Sequence, residues 1–249
     1  MTVLLEVNGL SVSYGGLQAV DDVSLSVRSE AIMGLIGPNG AGKTTTIDAL
    51  CGFVPGARGA ITLAGQRIDE LRAHQRARCG MGRTFQSVEL FDDLSVHENL
   101  LVAALTPRWW TPVVDAIAPR RTARGIDVDF ALDLMDLRPL ADARPSELSY
   151  GQQRLVGVAR ALAARPKLLL LDEPAAGLDP TETAALGRLI RGLADEEIGV
   201  LLVDHDMTLV LEVCDEITVL DFGRVIASGP TAAVCADPAV VSAYLGGDG

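Results

Sequence analysis

The sequence is short of lysine, of aromatic residues and of closely spaced cysteines. Only two of the 21 basic residues in its 249 positions are lysines, Lys43 and Lys167, and aromatic residues make up 4%. The four cysteines lie far apart and form no Cys-x-x-Cys pair: Cys51, Cys79, Cys214 and Cys235. Because the common zinc and redox sites need such pairs, the spacing argues against a metal centre and favours four reduced, buried thiols.

The chain also lacks a long apolar run and a positive net charge. No stretch approaches the roughly 18–20 apolar residues that span a bilayer. Residues 1–6 show no basic segment followed by an apolar core, so we expect a soluble protein that is not exported. The net charge of −12 and a pI near 4.6 argue against a nucleic-acid partner. They do not exclude a small anion, because a local nest of backbone N–H groups can outweigh the overall charge.

The order of apolar patterns predicts an α/β protein interrupted by a helical insertion. Hydrophobic residues make up 49% of the chain, which is enough for a sizeable core. Strand-like patterns dominate the first part and return after Pro166, whereas the middle has mostly helical spacing. We expect one domain over 1–249. Its core, about 1–87 and 166–249, shares a single sheet, and its helical subdomain is about 88–165.

Individual elements follow from the same patterns. Predicted strands are Leu4–Val7, Val23–Val27, Ala31–Ile36, Leu168–Leu171, Val200–Val203 and a hairpin of Ile217–Leu220 with Val225–Ala227. Predicted helices are one from Lys43, then Val96–Leu105, Ile126–Leu137, Tyr150–Ala164 and one from Pro180 to about Asp195, capped by Asp179. Residues 106–124 contain three prolines and both tryptophans, which predicts a surface excursion.

The segment between the predicted strand 31–36 and the helix from Lys43 fits Gly-x-x-x-x-Gly-Lys-Ser/Thr. Its residues are Gly37, Pro38, Asn39, Gly40, Ala41, Gly42, Lys43 and Thr44. Glycines let the backbone curl so that consecutive N–H groups point at phosphate oxygens, and the positive end of the following helix adds to the attraction. Lys43 supplies a charge for the β- and γ-phosphates, and the Thr44 hydroxyl suits Mg²⁺. The sequence therefore predicts a nucleoside triphosphate site.

A second acidic motif follows the apolar run Leu168–Leu171. It consists of Asp172 and Glu173. A phosphate-loop ATPase needs a carboxylate at the end of a neighbouring strand to hold Mg²⁺, and Asp172 is the candidate. Glu173 points to the other face of the chain and can polarise an attacking water. A GTPase would carry Asn-Lys-x-Asp to read guanine, and neither lysine stands in such a motif.

Further motifs resemble the ATP-binding subunit of ABC transporters over the whole chain. Leu148–Gln153 resembles the family's signature motif, and the Arg-Thr-Phe-Gln run ending at Gln86 matches its Q-loop. Gly177–Asp179 matches the D-loop, His205 the switch histidine and Tyr14 the adenine-stacking aromatic. The resemblance implies a RecA-like P-loop NTPase core sheet with an antiparallel β subdomain and an inserted helical subdomain.

Several details are similar to the subgroup that serves importers of branched-chain and hydrophobic amino acids. Tyr150 replaces the glycine commonest in the signature, and Ala176-Gly177 replaces Ser-Ala in the D-loop, without removing a phosphate-contacting group. The runs typical of the subgroup are Leu148–Gln153, Glu173–Leu178, Gly82–Gln86, His205–Met207 and Ala243–Gly246. Urea and short-amide importers share these features, so an ATPase of that kind stays open as an alternative.

The resemblance implies an ATPase that uses ATP and Mg²⁺ and works as a homodimer or heterodimer, with ATP held between the phosphate loop of one subunit and the signature of the other. Glu173 is then the general base, His205 and Gln86 sense the γ-phosphate and the attacking water, and Asp172, Thr44 and Gln86 serve the metal. The implied nucleotide contacts are Tyr14, Gly37, Pro38, Asn39, Gly40, Ala41, Gly42, Lys43, Thr44, Thr45, Ser149, Gly151, Gln152 and Asp179.

The same resemblance implies transmembrane permease subunits as partners and a peripheral place on the cytoplasmic face of the cell membrane. Leu90 and Phe91 are candidate apolar contacts for a permease, and core packing within the helical subdomain is an equal alternative. A non-transport ABC ATPase is a competing hypothesis, but such chains usually carry coiled-coil arms or a second cassette, and 86–148 is too short for arms. A second competing hypothesis is a nucleotide-binding regulatory module that does not hydrolyse ATP. The presence of Glu173 and His205 argues against it.

Overall fold

A computed structural model describes residues 2–85, 89–104 and 127–245. The chain divides into two compact units. The first unit consists of Met1–Gln86 and Pro166–Gly249, and the second is Ser87–Arg165. None of the helices within the described ranges combines the length and the apolarity that a membrane span requires.

The strands are β1 Val3–Tyr14, β2 Leu17–Arg28, β3 Ile32–Ile36, β4 Arg58–Leu63, β5 Gln66–Arg67, β6 Met81–Arg83, β7 Leu168–Asp172, β8 Gly199–Val203, β9 Glu216–Asp221 and β10 Arg224–Pro230. The α-helices are α1 Lys43–Cys51, α2 Ala73–Arg78, α3 Val96–Ala104, α4 Val128–Leu134, α5 Tyr150–Leu162, α6 Pro180–Asp195, α7 Met207–Val213, α8 Thr231–Cys235 and α9 Pro238–Leu245.

A six-stranded sheet forms the centre of the first unit, in the order β10-β9-β3-β8-β7-β6. All its pairs are parallel except the β9–β10 hairpin. Strands β3, β7 and β8 are buried at every position, which explains why they read as unbroken apolar runs. Because they are parallel, their carboxyl ends meet at one edge of the sheet, where α/β proteins bind ligands.

Both halves of the chain contribute to this sheet, as the sequence predicts. Strand β3 pairs with β8 and β9, and β6 pairs with β7, so each pairing joins a segment before the insertion to one after it. A second, antiparallel sheet has the order β2-β1-β4-β5, and its buried side chains share an apolar core with β3, α1 and β7. The predicted fold class, a P-loop NTPase core with an antiparallel β subdomain, is confirmed.

Two strands of the antiparallel sheet are longer than predicted. The sequence predicts Leu4–Val7 and Val23–Val27, whereas β1 and β2 each have 12 residues. The ladder runs on to the turn after Tyr14, with several register shifts along the way. Such shifts break the strict alternation of apolar and polar residues, so the pattern hides the outer parts of both strands.

The second unit is helical in its described parts. Helix α5 ends two residues before its predicted end, and α3 is helical up to Ala104, the last described residue before the predicted end at Leu105. Helix α4 is shorter than the predicted Ile126–Leu137, because Asp127 caps its start by accepting the N–H of Phe130 and Asp136 turns left-handed at φ 53°. The predicted excursion at 106–124 lies outside the described residues.

Candidate nucleotide-binding site

The loop between β3 and α1 depends on glycine for its shape. Gly37 and Gly42 have φ values of 149° and 97°. A Cβ atom on Gly37 would lie 2.1 Å from the Leu220 carbonyl oxygen, and one on Gly42 would lie 2.6 Å from that of Ala19. Only glycine fits either position without displacing the backbone. The loop leads directly into the N-terminus of α1, where free backbone N–H groups and the helix dipole favour an anion.

The turn of the β9–β10 hairpin forms hydrogen bonds that stabilise this loop. The N–H of Gly223 donates to the Ala41 carbonyl at 3.0 Å, and the N–H of Asp21 donates to the Gly223 carbonyl at 2.8 Å. Within the loop, the Ala41 N–H reaches the Pro38 carbonyl at 3.2 Å. These bonds connect the phosphate loop to strands from both sheets.

Lys43 is buried, and its side chain turns back over the loop. Its Nζ donates to the carbonyl oxygens of Gly37 at 2.7 Å and Pro38 at 2.9 Å. Burial lowers the pKa of Lys43, and the negative charges of Glu173 and Asp172 oppose that shift. The structure thus brings the predicted lysine close enough to both predicted carboxylates for their charges to act on it. Thr44 is exposed and Thr45 half-buried in the first turn of α1.

Asp172 closes β7 and is almost completely buried. Arg83 Nη2 donates to Asp172 Oδ2 at 3.1 Å. The backbone N–H of Asp172 donates to Thr84 Oγ1 at 3.2 Å. Burial raises the pKa of the Asp172 carboxyl, Arg83 opposes this rise, and Glu173 adds to it. A carboxylate at this depth is kept beside a cation because an unpaired buried charge is costly.

Glu173 and His205 meet at the ends of adjacent strands. Oε1 of Glu173 lies 3.7 Å from Nδ1 of His205. Glu173 has a left-handed backbone with φ 46°, and its N–H donates to the Val203 carbonyl at 2.7 Å. A left-handed glutamate is strained, and strain of this kind is commonly found at functional sites.

Asp204 positions the turn that carries His205. Its side chain is 1% exposed and its Oδ1 accepts the N–H groups of His205 at 2.8 Å and Asp206 at 2.9 Å. Burial raises the pKa of Asp204, while these backbone hydrogen bonds lower it. Asp204 is not among the site residues that the sequence predicts. Helix α7, which Asp206 caps by accepting the N–H groups of Thr208 and Leu209, is not predicted by the sequence either.

Arg83 is a further residue whose contacts the sequence did not reveal. In the sequence, Arg83 is only one member of the run that identifies the Q-loop. In the structure, it forms ion pairs with Asp172 and with Asp48 of α1. Gln86 itself lies outside the described residues.

The remaining predicted site residues lie elsewhere in the two units. In the first, Tyr14 is half-exposed at the end of β1, and Asp179 caps α6 by accepting the N–H groups of Thr181 at 2.7 Å and Glu182 at 2.8 Å. In the second, Ser149 caps α5: its Oγ accepts the Gln152 N–H at 3.2 Å, and Gln152 Oε1 accepts the Ser149 N–H at 2.9 Å.

Gly151 is buried in the first turn of α5, next to this cap. The signature residues Ser149, Gly151 and Gln152 thus lie together at one helix N-terminus.

Oxygen donors for a hard cation lie beside the phosphate loop. The Thr44 hydroxyl and the Asp172 carboxylate are the ligand types that Mg²⁺ takes in phosphate-binding sites, where the substrate supplies further oxygens. Among the described residues no group of three or more His, Cys, Asp or Glu side chains could hold a metal by itself. The donor set fits a magnesium ion that arrives with a nucleotide.

Family comparisons agree with this geometry. The family model described as ABC transporter matches residues 20–176, and a second, described as branched-chain amino acid ATP-binding cassette transporter, matches 224–249. The chain belongs to the ABC transporter ATP-binding family. It is an ABC ATPase, an enzyme that couples ATP hydrolysis to transport across a membrane.

The ABC ATPase has full-length relatives. It is 42% identical to the high-affinity branched-chain amino acid transport ATP-binding protein BraF of Pseudomonas aeruginosa and 43% identical to LivG of Salmonella typhimurium, covering 98% of each chain and of this one. It is also 40% identical to the lipopolysaccharide export system ATP-binding protein LptB of Escherichia coli, with the same coverage.

Solved ABC cassettes share the fold over the whole chain. A nucleotide-free ATP-binding cassette from an ABC transporter superposes with a TM-score of 0.84 at 29% identity, covering 98% of this chain and 99% of that one. The ADP conformation of another ATP-binding cassette of an ABC transporter gives a TM-score of 0.83 at 29% identity, covering 99% of this chain and 100% of that one.

Proposed function

We propose that this ABC ATPase powers an importer of branched-chain or other hydrophobic amino acids. The observation that carries the proposal is the similarity at its C-terminus: residues 224–249 match the model built on branched-chain amino acid cassettes. The likeness to BraF and LivG over 98% of the chain supports the same substrate class. The 40% identity to LptB makes lipopolysaccharide export the alternative hypothesis for the transported substrate.

The proposed nucleotide site is built around the phosphate loop. Backbone N–H groups of 37–42, with those of Thr44 and Thr45, bind the phosphates, and Lys43 Nζ exchanges its loop carbonyls for phosphate oxygens. The Thr44 hydroxyl and, directly or through water, the Asp172 carboxylate would hold Mg²⁺, with Gln86 as a further ligand. When bound, the ion neutralises charge on the β- and γ-phosphates. Tyr14 stacks on the adenine, which contributes about 1–3 kcal/mol by analogy with base stacking on aromatic side chains.

Glu173 acts as the general base in this proposal. Its carboxylate takes a proton from the water that attacks the γ-phosphorus, and the bond to the β,γ-bridging oxygen breaks. His205, 3.7 Å from Glu173, orients that water and senses the γ-phosphate together with Gln86. The buried Asp204 supports this role because it fixes the backbone of His205.

A second ATP-binding subunit, identical or related, completes the site. Ser149, Gly151 and Gln152 of one subunit meet the γ-phosphate bound to the loop of the other, because the N-terminus of α5 is an anion site. Asp179 lies in the D-loop that faces the partner. ATP then bridges the two subunits, and its hydrolysis removes the contact that holds them together.

Permease subunits hold the pair at the cytoplasmic face of the membrane. Phe91 supports this part of the proposal, because 47% of the residue is exposed although it is aromatic. Its main chain is fixed by Asn99, which accepts the Phe91 N–H at 2.9 Å and donates to its carbonyl at 3.1 Å. Leu90 is half-buried. The exposed ring favours the docking role for Phe91 over core packing.

The substrate class is tested by deleting the gene in the source organism and measuring uptake of labelled leucine, isoleucine, valine and urea. Loss of uptake of the three amino acids, restored by the wild-type chain but not by a Glu173→Gln copy, is the expected result. Loss of urea uptake alone favours the amide-importer alternative, and a lipopolysaccharide defect with normal uptake favours export.

A further inference from the structure

Arg83 connects two elements of the phosphate site. Its Nη2 donates to Oδ2 of Asp172 at 3.1 Å, and its Nη1 donates to Oδ1 of Asp48. Asp172 ends β7, and Asp48 lies in α1, the helix that begins with Lys43 and Thr44. One guanidinium therefore links the strand that carries the proposed metal carboxylate to the helix that carries the proposed metal hydroxyl.

The surroundings of Arg83 fix this guanidinium in place. Its side chain is 9% exposed. It lies over the rings of Phe53, 5.6 Å from the centroid, and Phe85, 5.1 Å away. The rings shield it from water, which strengthens its ion pairs. A planar guanidinium suits the task because its rigid fork of donors can serve two carboxylates at once.

The strand that carries Arg83 also holds the main chain of Asp172. The next residue is Thr84, and its Oγ1 accepts the N–H of Asp172. The backbone N–H of Thr84 donates to the Leu170 carbonyl at 2.9 Å. Both the backbone and the carboxylate of Asp172 are thus fixed by two consecutive residues. The Asp172 side chain is 4% exposed, so water has little access to reorient it.

We propose that Arg83 is a positioning residue that holds the Asp172 carboxylate in place for the Mg²⁺ that accompanies ATP. The inference rests on the proposed function, in which Asp172 serves the metal. Arg83 acts through Asp172 and is assigned no contact with nucleotide. Hydrogen-bond partners that orient metal-binding carboxylates typically contribute about 10- to 100-fold to metal affinity.

The test is the metal-dependent gain in nucleotide affinity. Calorimetry gives the affinity for a nonhydrolysable ATP analogue with Mg²⁺ and with EDTA, and the ratio of the two is the gain. Arg83→Gln is expected to lower the gain about tenfold while the affinity in EDTA changes less than about twofold. Arg83→Lys keeps the charge without the fork and recovers only part of the gain. Arg28→Gln is the matched control, because Arg28 pairs with Glu216 at 2.8 Å, outside the site.

Each outcome separates this inference from the function on which it rests. A wild-type chain that binds no more tightly with Mg²⁺ contradicts the proposed site itself. A normal wild-type gain that Arg83→Gln leaves unchanged or increases overturns the positioning role, and an increase means that Arg83 competes with the metal for Asp172. If Arg83→Gln lowers the affinity for the ATP analogue equally with Mg²⁺ and with EDTA, the positioning role is also overturned. If Arg83→Gln does not fold, Asp48→Ala, which removes the second partner of Arg83, is measured in its place, and it must lower the gain as well.

Discussion

Glu173 and His205 lie 3.7 Å apart, from Oε1 to Nδ1, because two parallel strands end side by side. Asp172 pairs with Val203 in the register of β7 and β8, and the Glu173 N–H continues that ladder to the Val203 carbonyl. A shift of one residue in this register would turn one of the two side chains to the opposite face of the sheet. The proposed catalytic pair is therefore a product of strand pairing.

Replacing Glu173 by Gln tests the general base. The amide keeps the shape but cannot accept a proton, so we expect ATP affinity to stay within about twofold and hydrolysis to fall about 10²–10⁴-fold. Phosphate release measures turnover, and gel filtration with ATP should reveal a stable dimer. The exposed Glu212, changed to Gln, is the control. Normal turnover in Glu173→Gln refutes the assignment.

Replacing Lys43 by Ala removes the cation of the phosphate loop. A hydrogen bond to a charged group contributes about 1.5–3 kcal/mol, so nucleotide affinity should fall at least about tenfold. Calorimetry with ATP and Mg²⁺ measures the change. Lys167, the other lysine of the chain, is exposed and gives a matched Lys167→Ala control. Equal affinities for the two variants would count against the phosphate-loop interpretation.

Asn99 is expected to stabilise the second unit. Its side chain is fully buried, accepts the Phe91 N–H and donates toward the carbonyls of Phe91, Leu94 and Ser95 at 3.0–3.2 Å. Asn99→Ala leaves these groups without the amide and should lower the free energy of unfolding by about 1–3 kcal/mol. Urea titration measures it, and exposed Asn8→Ala should change it little. A loss below that of Asn8→Ala contradicts the role.

The cysteines should differ in their reaction with alkylating reagents. Burial raises the pKa of Cys51 to about 11 and that of Cys214 to about 12, so neither forms appreciable thiolate at pH 8. Cys79 and Cys235 are only half-buried. Iodoacetamide at pH 8 should therefore modify Cys79 and Cys235 first in the folded protein, as read by peptide mass spectrometry. Early modification of Cys51 or Cys214 would contradict this order.

Phe91→Asp is expected to weaken permease binding without unfolding the chain. The ring is exposed and contacts the Arg160 guanidinium, 5.3 Å from its centroid, which contributes about 0.5–1 kcal/mol at such sites. The melting temperature should change little, whereas co-purification with permease subunits from the same genome should be lost. Phe222→Asp, at another exposed aromatic, serves as control. Retained co-purification of Phe91→Asp refutes the docking role.

The parts of this site that are predictable from sequence are those carried by short, local patterns. The loop from Gly37 to Thr44 needs glycines and one lysine at fixed spacing, and Asp172 follows a strand whose burial is visible as an apolar run. Contacts made by distant residues leave no such trace. Arg83 meets Asp48 and Asp172, which are 35 and 89 positions away, through tertiary packing alone.

Other misses have local causes. Helix α7 is only seven residues long, and a stretch of that length is too short for helical periodicity to stand out. Asp204 looks like one more acid in a polar turn, and only the fold reveals that it is buried. The role proposed for Ser149 depends on a second subunit. No pattern within one chain predicts such a role, so it rests on the family resemblance.

The pairing of β3 has a consequence for how the protein must be made. Both neighbours of this strand, β8 and β9, come from beyond position 198. When the first three-quarters of the chain have been synthesised, β3 is an apolar strand whose two edges still lack their hydrogen-bonding partners. Such long-range pairing is slow and prone to aggregation, so the nascent polypeptide should depend on chaperones until its last quarter emerges.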